Sequence, residues 1–247
     1  MIDYVYGRRA VLEALKSRQV IREIWISQTA QGSVLDDVRT LARSKSVPVK
    51  SVEPKRIEEK AGKESHQGVV ALVETSHFEY ADMQSIIDHA ADAGVLPAIA
   101  ILDGITDTHN LGAIIRSAEC AGFNGVIIPK HGSAEVNNTV IKTSAGAAWH
   151  VPVVQVTNLV QAIKELKKSG LWIYGMDAQA DRPIYDIDVT SGLAIVIGSE
   201  GVGMRRLVKE HCDFLVNIPQ RGKIDSLNAS VSAGIVFFEV VRRRLTQ

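Results

Sequence analysis

The chain has 247 residues, 28 Lys and Arg against 28 Asp and Glu, with 46% hydrophobic and 23% charged residues. That composition excludes disordered, collagenous and fibrous classes; no apolar run approaches the ~20 residues that span a bilayer, and a formal charge of zero disfavours a broad, nonspecific polyanion binder while leaving room for a local basic patch. Two cysteines, Cys120 and Cys212, are too few for a disulfide framework or a thiolate zinc site, and with no apolar leader the expectation is a cytoplasmic protein without a membrane partner.

Charge is unevenly spread. Residues 1–76 carry 13 basic and 10 acidic side chains, whereas 77–100 carry no basic and 4 acidic ones. The shift predicts a domain boundary near His77, dividing the chain into 1–76, an acidic linker and first helix at 77–96, and a larger domain at 97–247. The first part alternates helix and strand signals. GRRAVLEALKS places Val11, Leu12 and Leu15 on one helical face, REIWIS alternates as a strand, and Ser33 is a candidate cap for a helix through Leu41. VPVKSV is a short strand, Pro54 opens a helix that Gly62 closes, and HQGVVALVE ends the part in a β-rich run.

After His77 the pattern restarts. MQSIIDHAADAG predicts a helix, and PAIAILDG is a continuous apolar run of the kind seen in buried parallel strands. LGAIIRSAECAGF follows at helical spacing, then GVIIP as a strand. HVPVVQV, LWIYGM, LAIVIG and DFLVNIP are further strands, with helices at 159–168 and 204–211 between some of them. A last helix from about Asn228 to Leu245 carries Val231, Ile235, Phe238 and Val241 along one face. Strands alternating with helices predict an α/β fold with a mostly parallel sheet covered on both sides.

In such sheets ligands bind past the carboxyl ends of strands. Three of these ends are rich in glycine and polar residues. The first, LDGITDTHNLGAIIRSAECAGF, puts Asn110 near a helix N-terminus, where capping is an equal reading, and Arg116 among Ile114, Ile115 and Ala118, where a charge needs a partner. The second, IVIGSEGVGM, is neither a dinucleotide fingerprint nor a phosphate loop, and Glu200 would repel phosphate. A cationic or hydroxyl-rich ligand suits it better, and a tight turn suits it equally. The third, VNIPQRGKIDSLNASVSAG, sets Ser226 and Asn228 at the start of the last helix. No histidine spacing points to a metal, and none is expected.

Taken together and in order, NLGAIIRSA, IVIGSEGVGM and IPQRGKIDSLNASVSAG resemble the SpoU (TrmH) family of RNA ribose 2'-O-methyltransferases. TSAGAAWHVPV fits the same family, and YGRRAVLEAL and HQGVVA resemble the L30e-like substrate-binding domain of one subgroup. The resemblance implies a SPOUT-type α/β fold with a deep trefoil knot, S-adenosyl-L-methionine seated in the knot, and a homodimer formed by the catalytic domain. It implies Asn110, Arg116, Glu200, Ser226 and Asn228 as catalytic residues. Gly198, Ile218, Leu227 and the loop Thr143, Ser144, Ala145, Gly146 are the implied cofactor contacts. Glu200 is expected to hold Arg116 or Asn228.

For RNA contact the candidates are Arg8, Arg9 and His66, with Arg18 and Arg22 in the same domain; a turn role suits His66 equally. The implied reaction is methylation of a guanosine ribose in the peptidyl-transferase P loop of 23S rRNA. Transfer RNA, a different rRNA nucleotide, or a catalytically silent ribosome-assembly role are the alternatives. A dinucleotide oxidoreductase is disfavoured by the missing glycine fingerprint.

Overall fold

The computed structural model describes residues 2–17, 20–61, 66–74, 78–92, 94–223 and 226–246. The chain forms two compact units. The smaller comprises Met1–Glu79 together with Val136–His150, and the larger Tyr80–Glu135 with Val151–Gln247.

The smaller unit opens with β1 (Ile2–Tyr6), α1 (Arg8–Lys16), β2 (Ile21–Ser27), α2 (Ser33–Ser44), β3 (Val49–Val52), α3 (Pro54–Ala61) and β4 (Val69–Glu74). Its sheet has the order β1-β4-β2-β3. β4 runs antiparallel to β1 and β2, and β3 parallel to β2. Both faces are covered along residues 69–73 of β4 and 24–26 of β2, and there both side-chain sets are apolar. Ile24 and Ile26 of β2 pack with Val69 and Ala71 of β4 against α1 and α2. Trp25, Val70 and Leu72 face the other way, toward Ile57 of α3. The sequence leaves β1 unread. The cap expected from Ser33 is absent: Ser33 is the first residue of α2, and Gly32 holds the cap position without a side-chain bond.

The larger unit contributes α4 (Met83–Asp92), β5 (Ala98–Asp103), α5 (Thr108–Cys120) and β6 (Gly125–Pro129). The chain then supplies α6 (Asn138–Thr143) and a 3-10 turn (Ala147–Trp149) to the smaller unit. The composition shift predicts 136–150 within the larger domain; in the structure the segment packs with the N-terminal one. Gly146 lies so close to α1 that a β-carbon there would sit 2.3 Å from Glu13 Cβ. Glu13 pairs with His150 and with Lys16, the latter at 2.8 Å.

The larger unit resumes with β7 (Val153–Val156), α7 (Leu159–Lys168), β8 (Trp172–Met176), β9 (Leu193–Gly198), α8 (Arg206–Glu210), β10 (Phe214–Val216) and α9 (Ala229–Leu245). Its sheet has the order β10-β8-β9-β5-β6-β7, and every neighbouring pair is parallel. Ile99 and Ile101 of β5 join a core with Ile86 of α4, Ile163 of α7 and Val208 of α8. The opposite face is closed by α5 and α9, where the rings of Phe123 and Phe237 pack at a tilt of 40° with centroids 4.2 Å apart. The chain runs outward through β6 and β7, then returns so that β9 lies beside β5. The carboxyl ends of β5 and β9, Asp103 opposite Gly198, therefore meet at the centre of the sheet. That reversal is where parallel sheets open a crevice.

Candidate active site

Three strand ends converge there, each positioned by ordinary local chemistry. After β5, α5 is capped by Asp107, whose carboxylate accepts from the His109 amide at 2.8 Å. The cap is thus Asp107 and not Asn110. The Asn110 amide is left to donate to Glu200 Oε1 at 2.9 Å. Glu200 sits in the loop after β9. The same oxygen accepts from Asn228 Nδ2 and from the Ala229 backbone N–H, the latter at 3.2 Å.

Asn228 is the N-cap of α9. Its Oδ1 accepts from the Ser230 and Val231 amides at 2.9 and 3.2 Å. Its Nδ2 donates to Asn110 Oδ1 at 3.0 Å. Capping fixes which end of this amide faces the helix, and so which end faces its two partners. The carboxylate of Glu200 also lies at the positive end of α9. Side chains from residues 110, 200 and 228 thereby form one closed hydrogen-bonded trio.

Beside the trio opens a cavity of about 450 Å³. Its lining includes Gly198, Glu200, Ile218, Ser226 and Leu227 from the sequence-predicted set. The wall at the end of β8, formed by Met176, Asp177 and Gln179, is not in that set, because a strand ending in Met-Asp carries no distinctive signal. Asp177 pairs with Lys209. Burial alone pushes its carboxyl up, but Lys209 and the Gln179 amide outweigh that and hold it below the usual carboxylate range. At Gly198 a β-carbon would lie 2.3 Å from the Gly203 carbonyl carbon, so the loop folds back on a position only glycine fits.

Arg116 is exposed on α5 while Ile114, Ile115 and Ala118 point inward. The expectation of a charge stranded among apolar neighbours does not hold, and Glu200 holds Asn110 and Asn228 rather than Arg116. Thr143, Ser144, Ala145 and Gly146 lie in the smaller unit and are not among the residues lining the cavity. Ser144 is buried with its hydroxyl on Ile141 O at 2.9 Å, and Ala145 adopts a left-handed φ of 52°.

In the smaller unit, Arg8 donates from Nε to Gln67 O and from its amide to Gln67 Oε1, both at 3.1 Å. His66 Nδ1 accepts from the Gly68 amide at 3.1 Å. The GRR and HQG stretches are thus one local structure, with Arg9 and Arg22 exposed. Arg18 and His77 lie outside the described residues. Among the described residues no three His, Cys, Asp or Glu side chains form a metal-holding group, and no helix is long and apolar enough to cross a membrane.

The pattern of the SpoU rRNA Methylase family matches residues 97–238, and that of the RNA 2'-O ribose methyltransferase substrate-binding domain matches residues 4–79. The chain belongs to the SpoU family. A Bacillus subtilis protein named for the TrmH family of tRNA/rRNA methyltransferases, YacO, is 41% identical over 98% of this chain and 96% of its own length. The 23S rRNA (guanosine-2'-O-)-methyltransferase RlmB of Xanthomonas axonopodis pv. citri is 40% identical over 98% of this chain and 97% of its own. Among solved structures, the SpoU methyltransferase AviRb from Streptomyces viridochromogenes, in complex with the cofactor AdoMet, superposes with a TM-score of 0.79 at 25% identity. The match covers 99% of this chain and 91% of that one. The SpoU assignment places the two family patterns on two different parts of the fold, with the trio and the cavity inside the first.

Proposed function

We propose that this SpoU protein transfers a methyl group from S-adenosyl-L-methionine to the ribose 2'-hydroxyl of a guanosine in 23S rRNA during ribosome maturation in the cytoplasm. The observation that carries the proposal is the Asn110–Glu200–Asn228 trio set at the lip of the cavity. The 23S guanosine target is supported by the name of the Xanthomonas relative, and the methyl donor by the cofactor bound in the AviRb structure.

The cavity suits such a donor chemically. Ile197, Ile218 and Leu227 offer apolar surface for a heterocycle, while Asp177, Lys209, Glu200 and Ser226 offer polar groups for hydroxyls and a zwitterionic tail. Gly198, Ile218 and Leu227 are the proposed contacts, and Ser226 lines the same cavity. When bound, the donor supplies a methyl group activated on a sulfonium, which needs no nucleophile from the protein.

The chain's own residues have two tasks. The first is alignment, which in favourable cases supplies ~7–11 kcal/mol of the barrier. Asn110 is suited to hold the ribose because Glu200 and Asn228 fix its amide. The second is to help the hydroxyl lose its proton. A guanidinium is too weak a base to take it. Arg116 instead binds the adjacent phosphate and stabilises the developing alkoxide, as charge-assisted donors do, while the proton passes to solvent water.

We assign residues 1–76 to substrate RNA binding through Arg8, Arg9 and His66, 77–96 to a linker and first helix, and 97–247 to catalysis. The region from β9 to α9 is the part we propose to be threaded as the trefoil knot. The outward apolar residues of α9, Val231, Ile235 and Phe238, support a homodimer through the catalytic domain. Mapping 2'-O-methyl groups in rRNA and tRNA from cells with and without the gene tests the proposal. Loss of one guanosine mark in 23S rRNA is expected; loss only in tRNA, or no loss, overturns the assigned target.

A further inference from the structure

Asp103 is the only carboxylate among the buried described residues, with its side chain wholly shielded from solvent. It ends β5 directly opposite Gly198 of β9. A buried charge is retained at such a point only when donors compensate it. Two do, and both come from Arg205: the backbone N–H to Oδ2 at 2.7 Å and the guanidinium Nε to Oδ1 at 2.6 Å.

Arg205 follows the loop 199–204 that lines the cavity. That loop leaves β9 beside Asp103, closes on itself through reciprocal Ser199–Gly203 backbone bonds of 3.1 and 2.9 Å, and returns to Asp103 through Arg205. Arg205 also stands at the N-cap position of α8 with no side-chain cap of its own, and Asp103 satisfies the backbone N–H of that residue from another strand. An amide could accept through one atom only. Two converging donors call for both oxygens of a carboxylate.

We infer that Asp103 is a positioning residue for the methyl-donor pocket: it ties the exit of the 199–204 loop to the strand that feeds Asn110, so that the pocket wall and the Asn110–Glu200–Asn228 trio share one anchor. The inference rests on the proposed methyl-transfer reading for its ligand, but not for the clamp itself. Glu200 holds the loop near its beginning; Asp103 holds it at its end. Neither oxygen of Asp103 is exposed to substrate, so its effect is on loop geometry and hence on donor binding more than on the chemical step.

The test uses the full-length protein and the variants Asp103→Asn, Arg205→Ala and their double. Arg205→Ala removes a side chain that is 58% exposed and leaves the backbone N–H on Asp103, and the double variant removes the buried charge together with its partner, so a folding failure of one single variant leaves the test standing. Amide hydrogen exchange on the free protein is expected to accelerate at 201–205 in each variant, with the core strands unchanged. Calorimetry with S-adenosylmethionine should show Kd raised about tenfold or more for Asp103→Asn and less for Arg205→Ala, and the double variant should be no weaker than Asp103→Asn. In steady-state methylation the KM for the donor should rise more than kcat falls. Unchanged loop exchange, or a fall in kcat with an unaltered KM, would overturn the inference and leave Asp103 a general structural charge. If the wild-type protein itself fails to bind the donor, the methyl-transfer reading fails, and the exchange arm still decides the clamp.

Discussion

Arg116 reaches solvent from α5, and no hydrogen bond or ion pair engages it among the described residues. A guanidinium so placed is available to a phosphate. Arg116→Lys keeps the charge but loses the planar fork, and single-turnover methylation of a 23S fragment with saturating donor should slow by roughly 100-fold or more. Donor affinity should change little, since Arg116 does not line the cavity. Near-normal rates in a folded Arg116→Ala protein would remove the proposed role. Residue types at this scale were partly legible. The sequence singles out Asn110, Glu200 and Asn228, but their mutual bonding joins positions 90 and 118 residues apart, which no local spacing encodes. Asp103 was missed because Leu-Asp-Gly reads as an ordinary strand stop; only the return of Arg205 gives the carboxylate its meaning.

Elements carry the next set of constraints. At the end of β9, Gly198→Ala would drive a β-carbon into backbone of residues 203 and 204, at 2.3 and 2.4 Å. Backbone cannot rotate aside as a side chain can, so the loop must shift, at a cost of about 1–3 kcal/mol. Donor binding should be lost or much weakened by calorimetry while the circular dichroism spectrum is retained; wild-type affinity would mean the loop relaxes freely.

On α9 the buried face is Ala233, Val236, Phe237 and Val240, whereas Val231, Ile235 and Phe238 remain 48%, 39% and 50% exposed. Phe238→Asp should therefore leave the fold intact and convert the proposed dimer to a monomer in sedimentation. A wild-type protein that is already monomeric at micromolar concentration would refute that interface. In the smaller unit, burial pushes the Glu13 carboxyl up, but Lys16 and His150 outweigh it and hold it below the usual range. A depressed carboxyl contributes stability that is present above the unfolded value and lost as pH falls through the folded one. Urea midpoints should thus fall more steeply on acidification for the wild type than for Glu13→Gln. Parallel profiles would show that the pair contributes nothing.

The elements themselves were largely readable, because strands buried on both faces are continuous apolar runs and α7 is cleanly amphipathic between Asn158 and Ser169. β1 and α6 were not: IDYVY is short and half polar, and NTVIKT has no helical stripe.

At the level of the whole molecule, sequence pattern predicts that a parallel sheet exists but not its order. The insertion of β9 between β8 and β5 is a non-local pairing, and it is what creates the crevice. Nor does any pattern announce that 136–150 packs with the N-terminal unit. Deleting 1–76 would strip the packing partners of that segment, so point substitutions test the division of labour more cleanly. Arg9 and Arg22 are exposed, which makes them suited to phosphate contact, whereas Arg8 is also tied to Gln67. Each phosphate contact adds roughly 0.7–0.9 to the slope of log affinity against log salt. The double variant Arg9→Ala, Arg22→Ala should therefore bind a 23S fragment more weakly and with a slope shallower by up to about two. Donor affinity should match wild type, because the cavity is lined entirely by the larger unit. Filter binding across a salt series, paired with calorimetry of the donor, measures both. An unchanged salt slope would move the RNA contacts off these two residues, and a parallel loss of donor affinity would show that RNA and donor binding are not separately housed.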